Sequence, residues 1–270
     1  MQVRDKLCVV TGGANGIGRA LCERFAAEGA RLVVVVDLEE DNAKSVADAI
    51  GGVAYGVNVR DEGQIAAMVD SVQAEHGPID LFCSNAGIGH GDGEPWWATS
   101  APNDVWQTMW DIHVMSHVYA ARACLPSMIE RGEGYFLNTA SAAGILSQIG
   151  DAAYSTTKHA AVGFAESLAV THGEHGIGVS CLCPQAVATR MIGDSGGGAA
   201  GVDGVISPED LAKCVIEGLE QETFLILPHP SVQQYRENKA TNYDRWIGGM
   251  RKLKKRFMEA TIAITESHKE

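Results

Sequence analysis

Positive charge is scarce in this 270-residue chain: 21 Lys and Arg stand against 34 Asp and Glu, a formal net charge of -13. Nucleic acid is held through a basic face, so it is not an expected partner. The one basic run, Arg251 to Arg256, reads as the solvated side of a helix. Long apolar runs are missing too. None approaches the roughly 20 residues that cross a bilayer. Met1 to Lys6 leads straight into a short apolar strand, so no membrane span and no secretory leader is expected. Cys-x-x-Cys pairs are lacking, and the seven cysteines make an odd number. Cys8, Cys83, Cys181 and Cys183 fall in apolar runs and read as buried free thiols in a reducing cytoplasm. No Pro/Gly/Ser-rich linker and no internal repeat divides the chain. Residues 1–270 are therefore read as one domain, whose core a 46% hydrophobic content can fill.

What is present is an alternation of short apolar runs and helical patterns. Leu7–Thr11 reads as a buried strand that opens into Gly12-Gly13-Ala14-Asn15-Gly16-Ile17-Gly18, followed by a helix with Ala20, Leu21, Phe25 and Ala26 on one face. Strand, glycine loop and helix bring backbone N–H groups and the positive end of a helix against a pyrophosphate. Arg31–Val36 is a second strand, and Asp37 stands at its end, 19 residues after Gly18. A carboxylate there accepts hydrogen bonds from ribose hydroxyls and repels a 2′-phosphate. Leu38 follows it in place of a basic residue, so NAD is preferred to NADP. Further strands are read at Val53–Val57, Ile79–Cys83, Gly134–Thr139, Ile177–Cys183 and Phe224–Leu227. Helices are read at Asp41–Ile50, Glu62–His76, Asn103–Arg131, Ala152–His172 and Pro208–Gly218. Such alternation predicts an α/β fold, a doubly wound parallel sheet between layers of helices. Asn58-Val59 and Asn85-Ala86-Gly87 then lie at the C-terminal ends of strands, where ligands bind.

Tyr154 and Lys158 stand four apart among small and apolar residues, so they share one face of a helix. A free phenol titrates near about 10. An ammonium within roughly 4–6 Å favours the phenolate, which makes the pair a candidate proton-transfer device. The loop from Ile88 to Pro102 carries Trp96 and Trp97, which read either as an apolar substrate wall or as a subunit contact. Glycines crowd Ile192 to Ile206, and 190–207 is read as a flexible substrate loop. Beyond Pro230, Trp246, Met250, Leu253 and Phe257 fall at helical spacing. Residues 230–270 thus read as a helical extension packed on the body or on a neighbouring subunit.

Thr11-Gly12-x-x-x-Gly16-x-Gly18, Asn85-Ala86-Gly87, Ser141, Tyr154-x-x-x-Lys158, and Pro184 with Thr189 occur in this order. On these motifs the sequence resembles the short-chain dehydrogenase/reductase family over roughly residues 5–228. The resemblance implies a three-layer Rossmann fold of about seven strands, a nicotinamide cofactor, and a homotetramer or homodimer built on the long helices. It also implies residue roles. Tyr154 exchanges a proton with the substrate oxygen, Lys158 holds the nicotinamide ribose and biases Tyr154 towards phenolate, and Ser141 donates a hydrogen bond to the same oxygen. Gly12, Asn15, Gly16, Ile17, Gly18, Asp37, Leu38, Asn58, Val59, Asn85, Ala86 and Gly87 line the adenosine and pyrophosphate side. Pro184, Val187 and Thr189 line the nicotinamide side.

Two positions depart from that family. His113 stands where an Asn usually links the lysine to solvent, and imidazole can relay a proton, so His113 is read as a fourth catalytic residue. Gln185 follows Pro184 where Gly is usual. His113 and His117 are four apart, yet no third ligand makes them a metal site. Trp96, Trp97, Leu146, Ile149, Met191 and Ile192 are the candidate substrate contacts. Their apolar character points to a cyclic, aromatic or steroid-like secondary alcohol, oxidised with NAD. An NADPH-type ketoreductase and a catalytically idle NAD-binding sensor are the competing readings.

Overall fold

In the computed structural model, residues 1–94, 96–193 and 197–267 are described, their side chains as far as Phe257. Seven strands pair in the order β3-β2-β1-β4-β5-β6-β7, every pair parallel. They are β1 Leu7–Thr11, β2 Leu32–Asp37, β3 Val53–Gly56, β4 Leu81–Ser84, β5 Gly134–Thr139, β6 Ile177–Leu182 and β7 Leu225–Ile226. Between them run α1 Gly16–Ala27, α2 Glu40–Ile50, α3 Glu62–His76, α4 Asn103–Trp110, α5 Ser116–Arg131, α6 Ala152–His172 and α7 Pro208–Glu220. The chain ends in α8 Ser231–Thr241 and α9 Tyr243–Ser267.

The strands read as unbroken apolar runs because both faces of the sheet are covered. Alternate residues feed two cores. Val9, Val34, Val36, Phe82 and Phe136 point to the side of α3, α5 and α6. Cys8, Val10, Val33, Val35, Leu81 and Leu137 point to the side of α1, α2 and α7. After β1 the chain winds outward through β2 and β3, then returns to place β4 on the other side of β1. That reversal opens a crevice beyond the C-terminal ends of β1 and β4, which is where ligands of open α/β sheets bind.

Asn103–Arg131 was expected as one helix, and here the structure differs. α4 and α5 are joined through a π-helical turn, Asp111–Met115, which carries His113. One extra residue in the turn rotates the side chains that follow it, and such turns collect at functional sites. Beyond Pro230 the expected extension is two helices. Asn242 separates them and accepts the backbone N–H of Arg245 at 2.9 Å. α8 and α9 pack over the segment after β5: Val232, Leu146 and Ala142 form a small core, with Tyr235 and Trp246 against it. Lys239 Nζ reaches back to the Ile145 carbonyl at 2.8 Å. Of the glycine-rich stretch 190–207, residues 194–196 lie outside the described residues, as do 268–270 of the extension. The base of that stretch is tied down, with Ala188 N–H donating to the Ile206 carbonyl at 2.9 Å and Ile206 N–H to the Ala186 carbonyl at 3.2 Å.

Candidate active site

The glycine loop is shaped by close approach. A Cβ on Gly18 would sit 2.0 Å from the Gly12 carbonyl oxygen, and Gly12 itself has φ +66° against the backbone of Ala86. Any larger residue at either position would push the loop off the crevice. Asn15 precedes α1 without capping it, and no acidic residue occupies the first turn. The first N–H groups of α1 and its positive end are therefore available to an anion. Asp37 ends β2 and fixes this loop, its Oδ2 accepting the Ala14 N–H at 3.0 Å and its Oδ1 the Glu39 N–H at 3.2 Å. On the other side of the crevice, the Thr11 hydroxyl accepts the N–H groups of Asn85 and Ala86 at 2.9 and 3.2 Å. The Asn85 amide donates to the Thr11 carbonyl at 3.0 Å. Asn85 thus clamps the end of β4 to the end of β1. The amide of Asn58 accepts the Arg60 N–H at 3.1 Å in a local turn.

A cavity of about 800 Å³ follows from this construction, large for a single small ligand. All the residues expected at the cofactor line it: Gly12, Asn15, Gly16, Ile17, Gly18, Asp37, Leu38, Asn58, Val59, Asn85, Ala86, Gly87, Tyr154, Lys158, Pro184, Val187 and Thr189. An elongated crevice with a glycine-lined helix end in the middle and a carboxylate at one extremity fits a dinucleotide. Ser141 closes the opposite extremity with Tyr154 and Lys158.

These three are placed by different elements. Ser141 follows β5 and starts a tight turn, its hydroxyl accepting the Ala143 N–H at 3.1 Å. Tyr154 lies in the first turn of α6, and a hydrogen bond with Ser141 lowers the pKa of its phenol. Burial outweighs that bond and pushes the phenol up to about 12. Lys158, one turn on, donates from Nζ to the Thr139 carbonyl at 3.0 Å and lies 5.6 Å from the Tyr154 ring centre. Burial brings its ammonium down to about 8. In the protein alone, desolvation of the phenol dominates its titration.

His113 Nε2 accepts the Ile88 N–H at 3.1 Å, so the proton sits on Nδ1, which meets the Thr157 hydroxyl at 2.9 Å. Thr157 passes its own proton to the Ala153 carbonyl at 2.9 Å. Burial first, and then Lys158 and His117, bring the His113 pKa down to about 2. The ring is neutral, with Nε2 taken by the Ile88 N–H and Nδ1 by the Thr157 hydroxyl. It stands edge-on to the Tyr154 ring, centres 5.4 Å apart. His113 thereby ties the backbone after β4 to α6.

Of the expected substrate contacts, Met191 and Ile192 line the large cavity and Leu146 lines an adjoining one. Trp96, Trp97 and Ile149 line neither. Trp96 has φ +64°, and its N–H closes a turn onto Gly93, which directs both indoles to the surface. Residues the sequence reading passed over include Asp151, Gln148 and Arg190 on the cavity wall. Asp151 caps α6 by accepting the Tyr154 N–H at 3.2 Å, and burial pushes its carboxyl up to about 7. An Asp three residues before a helical Tyr is a cap signal visible in the sequence.

Comparison with known proteins agrees with this geometry. The family model for short chain dehydrogenases matches residues 6–197. The 1-deoxy-11-beta-hydroxypentalenate dehydrogenase of Streptomyces exfoliatus is 34% identical over 233 residues, covering 84% of each chain. The (+)-borneol dehydrogenase 1 of Salvia officinalis is 30% identical over 220 residues, covering 81% of this chain and 78% of that one. Among solved structures, a short chain dehydrogenase/reductase from Burkholderia phymatum in complex with NAD superposes with a TM-score of 0.80 at 26% identity, over 90% of this chain and 96% of that one.

Proposed function

The chain belongs to the short-chain dehydrogenases, a family that binds nicotinamide cofactors, and from that premise we propose an NAD-dependent oxidoreductase of apolar cyclic secondary alcohols and their ketones. One observation carries the reading. Ser141, Tyr154 and Lys158 meet at one extremity of a cavity whose other extremity is Asp37. In this assignment Asp37 receives the adenosine ribose, the N-terminus of α1 receives the pyrophosphate, and Lys158 with Val187 and Thr189 holds the nicotinamide end. Bound there, the nicotinamide supplies the hydride acceptor for oxidation and the donor for reduction.

The chain's own residues handle the proton and the oxygen. Ser141 donates its hydroxyl proton to the substrate oxygen and orients it beside the Tyr154 phenol. Tyr154 takes the alcohol proton in oxidation and returns it in reduction. Lys158 places a positive charge within 5.6 Å of the Tyr154 ring centre, and His113 holds the ring edge. Support for NAD over NADP comes from Asp37 followed by exposed, apolar Leu38 in place of a basic residue. Support for an apolar cyclic substrate comes from Met191, Ile192 and Leu146. The relatives named for hydroxypentalenate and borneol agree with it.

The test is turnover. Purified protein is offered cyclic and aryl secondary alcohols with NAD or NADP, and nicotinamide absorbance is followed. Reduction of NAD by apolar cyclic alcohols, with NADP poorer by at least about tenfold in kcat/KM, is the expected result. Binding of NAD without turnover of any alcohol or ketone would leave a sensor instead.

A further inference from the structure

A second cavity, about 680 Å³, opens from Ser141 and runs under α9. It shares Ser141, Gln148 and Gln185 with the large cavity, so it continues the active site away from the cofactor end. Its floor is apolar, made by Leu146, Trp246, Met250 and Leu253. Its far wall is not. Arg245, Lys252 and Arg256 line it, spaced by seven and four residues so that they fall along one face of α9 beside the apolar stripe. No carboxylate lines this cavity. None of the three cations has an ion-pair partner among the described residues.

In a chain of net charge -13, three cations around one cavity, without an ion-pair partner among the described residues, are a departure from the background. The run Arg251 to Arg256 was read from sequence as a solvated helix face, and all its cations are exposed; Arg251, Lys254 and Lys255 line neither cavity. Lys252 and Arg256 turn to the cavity instead and are joined there by Arg245.

We infer that the substrate is a hydroxy acid: an apolar polycyclic alcohol whose carbinol reaches Ser141 and Tyr154 and whose carboxylate is received by Arg245, Lys252 and Arg256. This deepens the dehydrogenase reading and rests on it. The apolar floor takes the ring skeleton, and the cations select the anionic end. The three span about 16 Å of helix, so more than one skeleton length can be accepted.

A pair of probes differing only in that charge tests it: 3α-hydroxycholanoic acid and its methyl ester. Wild-type protein is expected to show the higher kcat/KM for the acid at low salt. That preference should shrink as ionic strength rises, because exposed charges are screened. In Arg245→Gln/Lys252→Gln/Arg256→Gln the acid-to-ester ratio should fall about tenfold, as three exposed pairs together allow. Exchanging the cations, Arg245→Lys/Lys252→Arg/Arg256→Lys, should restore most of it. A ratio unchanged in the Gln variant overturns the inference while leaving the dehydrogenase reading intact. If neither probe turns over, calorimetric titration of both decides. Tighter binding of the acid, lost in the Gln variant, keeps the anion site and leaves the dehydrogenase reading to the wider alcohol panel. Equal binding of acid and ester removes the anion site.

Discussion

Tyr154 and Lys158 are held in opposite ways to their ordinary titrations. The phenol is pushed up to about 12 and the ammonium brought down to about 8, each because burial penalises its charged form. A phenol so placed keeps its proton at neutral pH, which suits donation to a ketone oxygen. Oxidation needs the phenolate, so its rate should climb with pH through the neutral range. Reduction should hold steady there and fail only once the phenol ionises. Opposed pH profiles for the two directions, measured with saturating cofactor, check this. Coincident profiles would mean that Tyr154 is not the proton carrier. Tyr154→Phe should lower kcat by about 10²–10⁴ with nucleotide binding kept. Ser141→Ala should lower it by about 10²–10³, the cost of one hydrogen-bond donor at the reacting oxygen.

α6 carries both reactive groups, and its first turn is pinned by two carboxylates. Asp151 accepts the Tyr154 N–H, and Asp92 accepts the Ala152 N–H at 2.7 Å. The negative charge of Asp151 raises the Tyr154 pKa further, after burial. Asp151→Asn keeps a capping oxygen and removes the charge, so the alkaline rise of the oxidation rate should move to lower pH while the helix stays capped. Unchanged profiles in that variant would show that the carboxylate only caps. Ala152–His172 was legible to the residue because small and apolar positions recur along it and Asp151 precedes it. The strands were legible within a residue or two, since a strand covered on both faces must be apolar throughout. The π turn was not. Asp111 to Met115 has the composition of any amphipathic helix, and only the hydrogen bonds of His113 reveal that its ring is held by Ile88 and Thr157. The two tryptophans, read either as a substrate wall or as a subunit contact, line neither cavity for a related reason. Trp96 has a left-handed backbone that propensity does not foresee, and it turns the indoles outward. The cations of Arg251 to Arg256 are exposed, as a solvated helix face should be, and charge alone does not say that Lys252 and Arg256 also line a cavity.

Across the whole molecule, buried titratable groups set how stability responds to pH. His113 and His117 are fully buried, and burial above all brings their pKa values down to about 2 and about 3. In the unfolded chain they titrate near about 6.5. Between those values the unfolded state binds more protons than the folded one, so stability is full above about pH 6.5 and falls as pH drops below it. Asp151 acts with the opposite sign. Its folded pKa of about 7 lies above the unfolded carboxyl, so the folded state gains on that account as pH falls. Asp151 is partly solvated, however, and burial lowers His159 and His229 as well as His113 and His117, so the histidines should set the slope. His117 separates these contributions without touching the site's hydrogen bonds, since neither of its ring nitrogens has a partner among the described residues. His117→Leu removes a buried ring that must be desolvated and leaves no polar atom orphaned. Urea midpoints measured from pH 7.5 down to 4.5 should therefore fall less steeply in His117→Leu than in the wild-type protein, with stability at pH 7.5 kept or raised. Parallel curves for the two proteins would mean that His117 protonates without opening the fold, and that the interior around it admits charge.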